Sequence, residues 1–228
     1  MTVMKKKIKL FDPIIGKEEE TAILKTLRSN FWASGQGVGQ VLKFEKNFTS
    51  FIHSNDSVAV NSGSSAINLA LSLLDLKHKE VILPSFTFVS TAQAIIQNGG
   101  KPVFVDVDTR TNNIDPIEIK HHITNNTALI LPVHFGGLPC DLNSVLKICQ
   151  ENNLPLIEDA AHAAGSEYKG KKIGRHGQFV CFSFHPVKNL AMPTGGLITI
   201  NHKNHKNFKI ILKSRRWCGI TDRDDANY

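Results

Sequence analysis

No stretch of the 228-residue chain approaches the ~20 consecutive apolar residues that a membrane-spanning helix needs. The basic start, Lys5-Lys6-Lys7, is not followed by the ~7–15-residue apolar core of a secretory signal. Cysteine is scarce, and Cys140, Cys149, Cys181 and Cys218 are spaced neither as metal ligands nor as a disulfide framework. These absences lead us to expect a soluble, cytoplasmic chain with reduced thiols, no metal and no membrane partner. Asn47-Phe48-Thr49 matches a glycosylation acceptor, which means nothing without secretion. The sequence also lacks internal repeats, low-complexity tracts, a Walker A loop and a G-x-G-x-x-G fingerprint.

What is present is enough apolar material, 41% of residues against 21% charged, for one sizeable core or two small domains. Lys+Arg 27 against Asp+Glu 20 gives a net charge of +7, which attracts anions without choosing among them. Part of the excess lies in the run from His202 to Arg216. The only aromatics near that run are Phe208 and Trp217, too few for a base-stacking platform, so a solvated basic face is expected and no nucleic-acid partner.

Short β-rich runs alternate with helical stretches, which predicts an α/β fold: a mostly parallel sheet flanked by helices on both faces. Strands are expected at Ser57–Val60, Val81–Leu83, Val103–Val105, Ala128–Leu131, Leu154–Ile157, Phe179–Phe182 and Leu197–Ile200. Helices are expected after Gly63, over Phe88–Gln97, from Asp115-Pro116, and from Asp141 to Gln150 with Asp141 as cap. Ahead of the sheet, Lys17–Ser29 reads as an amphipathic helix with Ile23, Leu24 and Leu27 inward. Gln40–His53 reads as a second, with Phe44, Phe48 and Phe51. The loop Phe31-Trp32-Ala33-Ser34-Gly35-Gln36-Gly37 between them carries a Trp that suits either a ligand contact or a satellite core.

Three places carry possible chemistry. The turn Asn61-Ser62-Gly63-Ser64-Ser65 leads from a strand into a helix, whose free N–H groups and positive dipole end suit an anion; ordinary capping by Ser62 or Ser64 explains the same residues. Glu158-Asp159 ends a buried strand, where ligands of open α/β sheets collect, and His162 follows three residues on, as a crevice residue or a packed one. Lys188 lies in the apolar setting Phe184-His185-Pro186-Val187, although lysines ordinarily reach solvent. A phosphate-ready helix start, a strand-end acid and an amine are the three groups pyridoxal phosphate requires. An amine condenses with an aldehyde only when neutral, which burial promotes, and a carboxylate at the pyridine nitrogen keeps that nitrogen protonated.

At these residues the chain resembles the DegT/StrS family of pyridoxal-phosphate-dependent nucleotide-sugar aminotransferases, of fold type I. The resemblance runs through Phe31–Gly39, Asn61-Ser62-Gly63-Ser64-Ser65-Ala66, Pro84-Ser85-Phe86-Thr87-Phe88-Val89, Val105-Asp106-Val107-Asp108 and Pro132-Val133-His134. It continues in Glu158-Asp159-Ala160-Ala161-His162 and Ser183-Phe184-His185-Pro186-Val187-Lys188-Asn189. It implies that Lys188 joins the cofactor aldehyde and shuttles the proton, Asp159 pairs the pyridine nitrogen, and His162 lies beside the ring oxygen. Phe88 would stack on the ring, Gly63, Ser64, Ser65 and Ser183 would cradle the phosphate, and Trp32, Ser34 and Thr91 would face the substrate. Glutamate would donate the amine and a nucleotide-linked keto sugar would accept it, in a homodimer. Lys188 itself argues against the dehydratases of the family, which carry His there.

Two departures accompany the resemblance. Where the family has Thr-Thr-Gly-Glu-Gly-Gly, this chain has Ala191-Met192-Pro193-Thr194-Gly195-Gly196 and no acidic residue. Family members also continue past the position of Tyr228 into a small C-terminal domain. The expected organisation is a helical segment with the substrate loop (1–54), a cofactor-binding α/β domain (55–201) and a basic linker helix (202–228). A truncated homologue that binds the cofactor without catalysis is the alternative.

Overall fold

The structure, a computed structural model, describes residues 9, 11–32 and 39–221. Helix α1 (Lys17–Arg28) opens with Glu18, Glu19 and Glu20 at its positive dipole end and closes with Lys25 and Arg28; Glu19 folds back onto the Gly16 N–H at 2.7 Å. Its apolar stripe corrects the expectation: Ile23, Leu24 and Leu27 are 63%, 45% and 54% exposed, and no residue of α1 is buried. Helical spacing decides which face is apolar, but burial takes a facing surface, which the described residues do not supply. Helix α2 (Gly39–Ile52) does dock, through Phe48 and Ile52, with Phe44 half-buried. Phe51, expected inward with them, is exposed, and its ring lies beneath the Lys172 ammonium at 4.5 Å.

The α/β body follows as β1 (Asp56–Val60), α3 (Gly63–Leu71), β2 (Glu80–Pro84), α4 (Val89–Gln97), β3 (Lys101–Val105), α5 (Pro116–His122) and β4 (Thr127–Ile130). After a 3-10 turn at Phe135–Gly137 come α6 (Leu142–Glu151), β5 (Ile157–Asp159), β6 (Glu167–Tyr168), β7 (Lys171–Lys172), β8 (Phe179–Ser183), β9 (Gly196–Ile200) and α7 (His205–Arg216). Asp115 and Asp141 cap α5 and α6 by accepting from the N–H groups of Ile117 and Ser144.

Strands β3, β2 and β4 are parallel, as are β5 and β8; β9 runs antiparallel between β8 and β1. Parallel bridges Ile130–Leu156 and Val133–Asp159 join the two groups, giving the order β3-β2-β4-β5-β8-β9-β1. The two-residue period of each strand sends alternate side chains into two cores. Ile82, Val180, Phe182 and Leu197 meet α2, α5 and α6 on one face; Val81, Leu83, Phe179, Cys181 and Ile198 meet α3, α4 and α7 on the other. Helices thus cover both faces. Three of the four cysteines are buried and none is paired.

Two details differ from the sequence reading. The fifth strand starts at Ile157 rather than Leu154: Pro155 has no N–H for a ladder, and only its carbonyl bonds, to the Ile130 N–H at 3.3 Å. The β6–β7 hairpin was not anticipated, although Lys169-Gly170 supplies the two positive φ angles, 49° and 75°, that a tight hairpin turn needs.

Candidate functional site

The carboxyl ends of the parallel strands converge with the start of α3 around a cavity of about 270 Å³. Ser62 is the α3 cap, its hydroxyl accepting from the Ser65 N–H at 3.1 Å. The Ser65 hydroxyl donates to Asn61 Oδ1 at 2.6 Å, and the Ala66 N–H bonds the Ser62 carbonyl at 3.0 Å. Among the described residues the N–H groups of Gly63 and Ser64 have no acceptor, and both residues line the cavity. Gly63 is obligatory for contact reasons: a Cβ there would lie 2.7 Å from the Cβ of Ser183, which lines the same wall. Ordinary capping and an anion-ready helix start therefore coexist, with the cap using one donor and leaving two.

Asp159 reaches the cavity from the end of β5, nearly fully buried. Its Oδ1 accepts from the Ala161 N–H at 3.1 Å and its Oδ2 from the Thr91 hydroxyl at 2.9 Å. Burial nevertheless pushes its pKa up, because no cation lies at ion-pair distance among the described residues. A buried acid held by neutral donors and lacking a cation is poised for a cationic N–H from a ligand.

His162 follows in the turn after β5. Its Nδ1 accepts from the Gly136 N–H at 3.1 Å, so the neutral ring carries its proton on Nε2. Burial lowers its pKa, Lys188 lowers it further, and Asp159 opposes both. Lys188 lies in the turn after β8, its own N–H on the His185 carbonyl at 2.8 Å, with the side chain half-buried. Burial also lowers its pKa, against the opposing charge of Asp159, which raises the neutral fraction of the amine.

Of the residues singled out from sequence, Gly63, Ser64, Phe88, Asp159, His162, Ser183 and Lys188 line this one cavity. Ser65 does not; its hydroxyl and N–H are spent on Asn61 and Ser62. Thr91, expected on the substrate side, is instead fully buried with its hydroxyl on the Asp159 carboxylate. Trp32 lies at a second, broader opening with Ser64, Ser65, Arg215 and Arg216, its indole N–H on the Leu27 carbonyl at 2.9 Å. Ser34 lies outside the described residues. Sequence reasoning passed over Gly136 and Thr194. Thr194 occupies the place of the missing acidic residue, and its hydroxyl donates to the Asn61 carbonyl at 2.6 Å, tying the loop after Lys188 to the approach of α3. The signal for Gly136 was the Gly-Gly pair two residues beyond Pro132-Val133-His134.

The donor set fits pyridoxal phosphate: two acceptorless N–H groups and the Ser183 hydroxyl for its phosphate, a buried acid without a cation at ion-pair distance for its ring nitrogen, and an amine on the same cavity.

Comparison with known proteins agrees with this chemistry. The model of the DegT/DnrJ/EryC1/StrS aminotransferase family matches residues 13–228. An uncharacterized protein, MJ1066 of Methanocaldococcus jannaschii, is 42% identical over 194 residues, covering 85% of this chain and 50% of that protein. The spore coat polysaccharide biosynthesis protein SpsC of Bacillus subtilis is 43% identical over 188 residues, covering 82% and 48%. Among solved structures, 3-amino-5-hydroxybenzoic acid synthase superposes with a TM-score of 0.89 at 32% identity, over 96% of this chain and 57% of that one. Helicobacter pylori PseC, an aminotransferase of pseudoaminic acid biosynthesis, superposes with 0.83 at 27% identity, over 92% and 56%. The chain spans about half the length of the curated relatives it matches.

Proposed function

The chain belongs to the DegT/DnrJ/EryC1/StrS aminotransferase family, and from that membership we propose that it transfers an amino group, taken from glutamate, to a nucleotide-linked keto sugar in the cytoplasm, as a homodimer using pyridoxal phosphate. The observation that carries the reading is the meeting of Lys188, Asp159, His162 and the open N–H groups of α3 in one cavity.

When bound, pyridoxal phosphate supplies an aldehyde that condenses with amines and a protonated ring that withdraws electrons from the adjoining carbon. The N–H groups of Gly63 and Ser64 with the Ser183 hydroxyl would hold its phosphate, at the positive end of the α3 dipole. Asp159 would accept the ring N–H, an ion pair that would offset the burial cost raising its pKa. Thr91 and the Ala161 N–H keep that carboxylate in place. His162 would donate from Nε2 to the ring oxygen, while the Gly136 N–H keeps Nδ1 occupied. Phe88, at the mouth of the cavity and largely exposed, would be the aromatic side chain available to stack on the ring. Lys188, its amine made more readily neutral by burial, would attach the cofactor and is the group placed to take and return a proton at Nζ. SpsC and PseC, named for polysaccharide and pseudoaminic acid biosynthesis, support a sugar as the acceptor.

The test is spectroscopic. Adding pyridoxal phosphate to the purified chain is expected to give a visible absorbance that glutamate bleaches and that Lys188→Ala abolishes. Absorbance that glutamate leaves untouched would support the alternative, a homologue that holds the cofactor without transferring amines. An unaltered Lys188→Ala would sink the assigned role.

A further inference from the structure

Strand β5 sends two consecutive carboxylates to opposite faces of the sheet. Asp159 enters the cavity, whereas Glu158 is fully buried on the other side, and no step above uses it. A buried carboxylate persists only where donors satisfy it. Glu158 has two: the His134 ring nitrogen Nε2, 2.7 Å from Oε2, and the Gly177 N–H, which donates to Oε1. His134 is fully buried too, and its Nδ1 accepts from the Cys140 N–H at 3.0 Å. With Nδ1 closed by the Cys140 N–H, the ring carries its proton on Nε2 and donates it to Glu158.

His134 and Cys140 are the two ends of a single turn, so one imidazole clamps both ends to Glu158. Within the turn, the Phe135 N–H donates to Asn113 Oδ1 at 3.0 Å and the Ser166 hydroxyl donates to the Gly137 carbonyl at 2.7 Å. The Gly136 N–H is left to reach His162 Nδ1. The packing is close: a Cβ on Gly137 would lie 2.8 Å from the His162 carbonyl oxygen. The His134 N–H also donates to the Asp159 carbonyl at 3.0 Å.

We propose that the buried His134–Glu158 pair is a positioning pair, which fixes the Nε2–H tautomer of His162 through the 134–140 turn. The proposal rests on reading the cavity as an aminotransfer site, since it is there that His162 must donate from Nε2. The charged groups facing His162 are Asp159 and Lys188.

The experiment is ¹⁵N NMR of the ligand-free chain with labelled histidine, for the wild type, Glu158→Gln and Ser166→Ala. Glutamine keeps the size of Glu158 but offers one carbonyl where two N–H donors converge, so one clamp contact breaks. In the wild type His162 is expected as the Nε2–H tautomer. In Glu158→Gln the ratio of Nε2–H to Nδ1–H should fall about tenfold, the scale of one net hydrogen bond, and His162 should protonate at higher pH. Ser166→Ala loosens the same turn from its other side and should move both readouts in the same direction by less; it decides the matter if Glu158→Gln does not fold. An unmoved His162 spectrum in the folded variants overturns the proposal. A His162 that shifts in a chain unable to bleach with glutamate would leave the positioning pair standing and remove the aminotransfer reading. Full transfer beside an unmoved His162 would do the reverse.

Discussion

Helices α1 and α6 carry similar amphipathic patterns and meet opposite fates. In α6, Leu142, Val145, Ile148 and Cys149 are all buried against the sheet. In α1 the corresponding stripe of Ile23, Leu24 and Leu27 faces outward, and the helix buries nothing among the described residues. A periodic stripe is thus local information, set by 3.6 residues per turn, while burial is a property of whatever stands opposite. The same separation applies to the carboxylates of β5, where identical chemistry at neighbouring positions faces a cavity in one case and a core in the other.

The sharpest way to break the comparison is Ile148→Ala against Ile23→Ala. The first removes buried methylene groups and should cost about 2–5 kcal/mol in urea unfolding; a cost as small as that of the second would mean α6 is not docked as described. Between these extremes lies Asp159→Asn. The folded Asp159 has its pKa raised, so below the unfolded pKa it costs nothing, and stability is lost as pH climbs from the ordinary Asp range toward the raised folded value. The variant should therefore melt higher than the wild type at neutral pH without ligand, and lose that advantage in acid, while binding the cofactor with slow transfer. An equal melting temperature at pH 4 and pH 7 in the wild type, relative to the variant, would contradict a buried uncompensated acid. Ser62→Ala, which removes the α3 cap, should cost about 1 kcal/mol by the same unfolding assay. Smallest is Ile23→Ala on the outward stripe, within about 0.5 kcal/mol; a loss of 2 kcal/mol or more would show α1 packed in solution.

Strand and helix order was legible because near-continuous apolar runs at Val81–Leu83 and Phe179–Phe182 admit few arrangements other than a covered sheet. The cavity was legible through residues whose chemistry is conspicuous: Lys188 in apolar company, Asp159 at a strand end, serines at a helix start. Thr91 was assigned to the wrong partner because its role depends on which atom lies across a gap of 68 residues in sequence, and only folding brings its hydroxyl onto Asp159. Gly136 was missed since it acts through its backbone N–H, a group every non-proline residue shares. The early start assigned to β5 counted Leu154 and Leu156 as strand formers without weighing Pro155 between them.

The antiparallel pairing of β1 with β9 has a consequence for how the protein is made. Asp56 is matched to Ile200 and Val60 to Gly196, and the turn that opens α3 is pressed on by Gly196, where an added Cβ would collide with the Ser62 carbonyl. The open N–H groups at the start of α3 and the strand that backs them are thus more than 130 residues apart in sequence. A ribosome must deliver residues through about Ile200 before the turn at the start of α3 has its neighbour, so that turn takes its final shape well after its own residues have emerged.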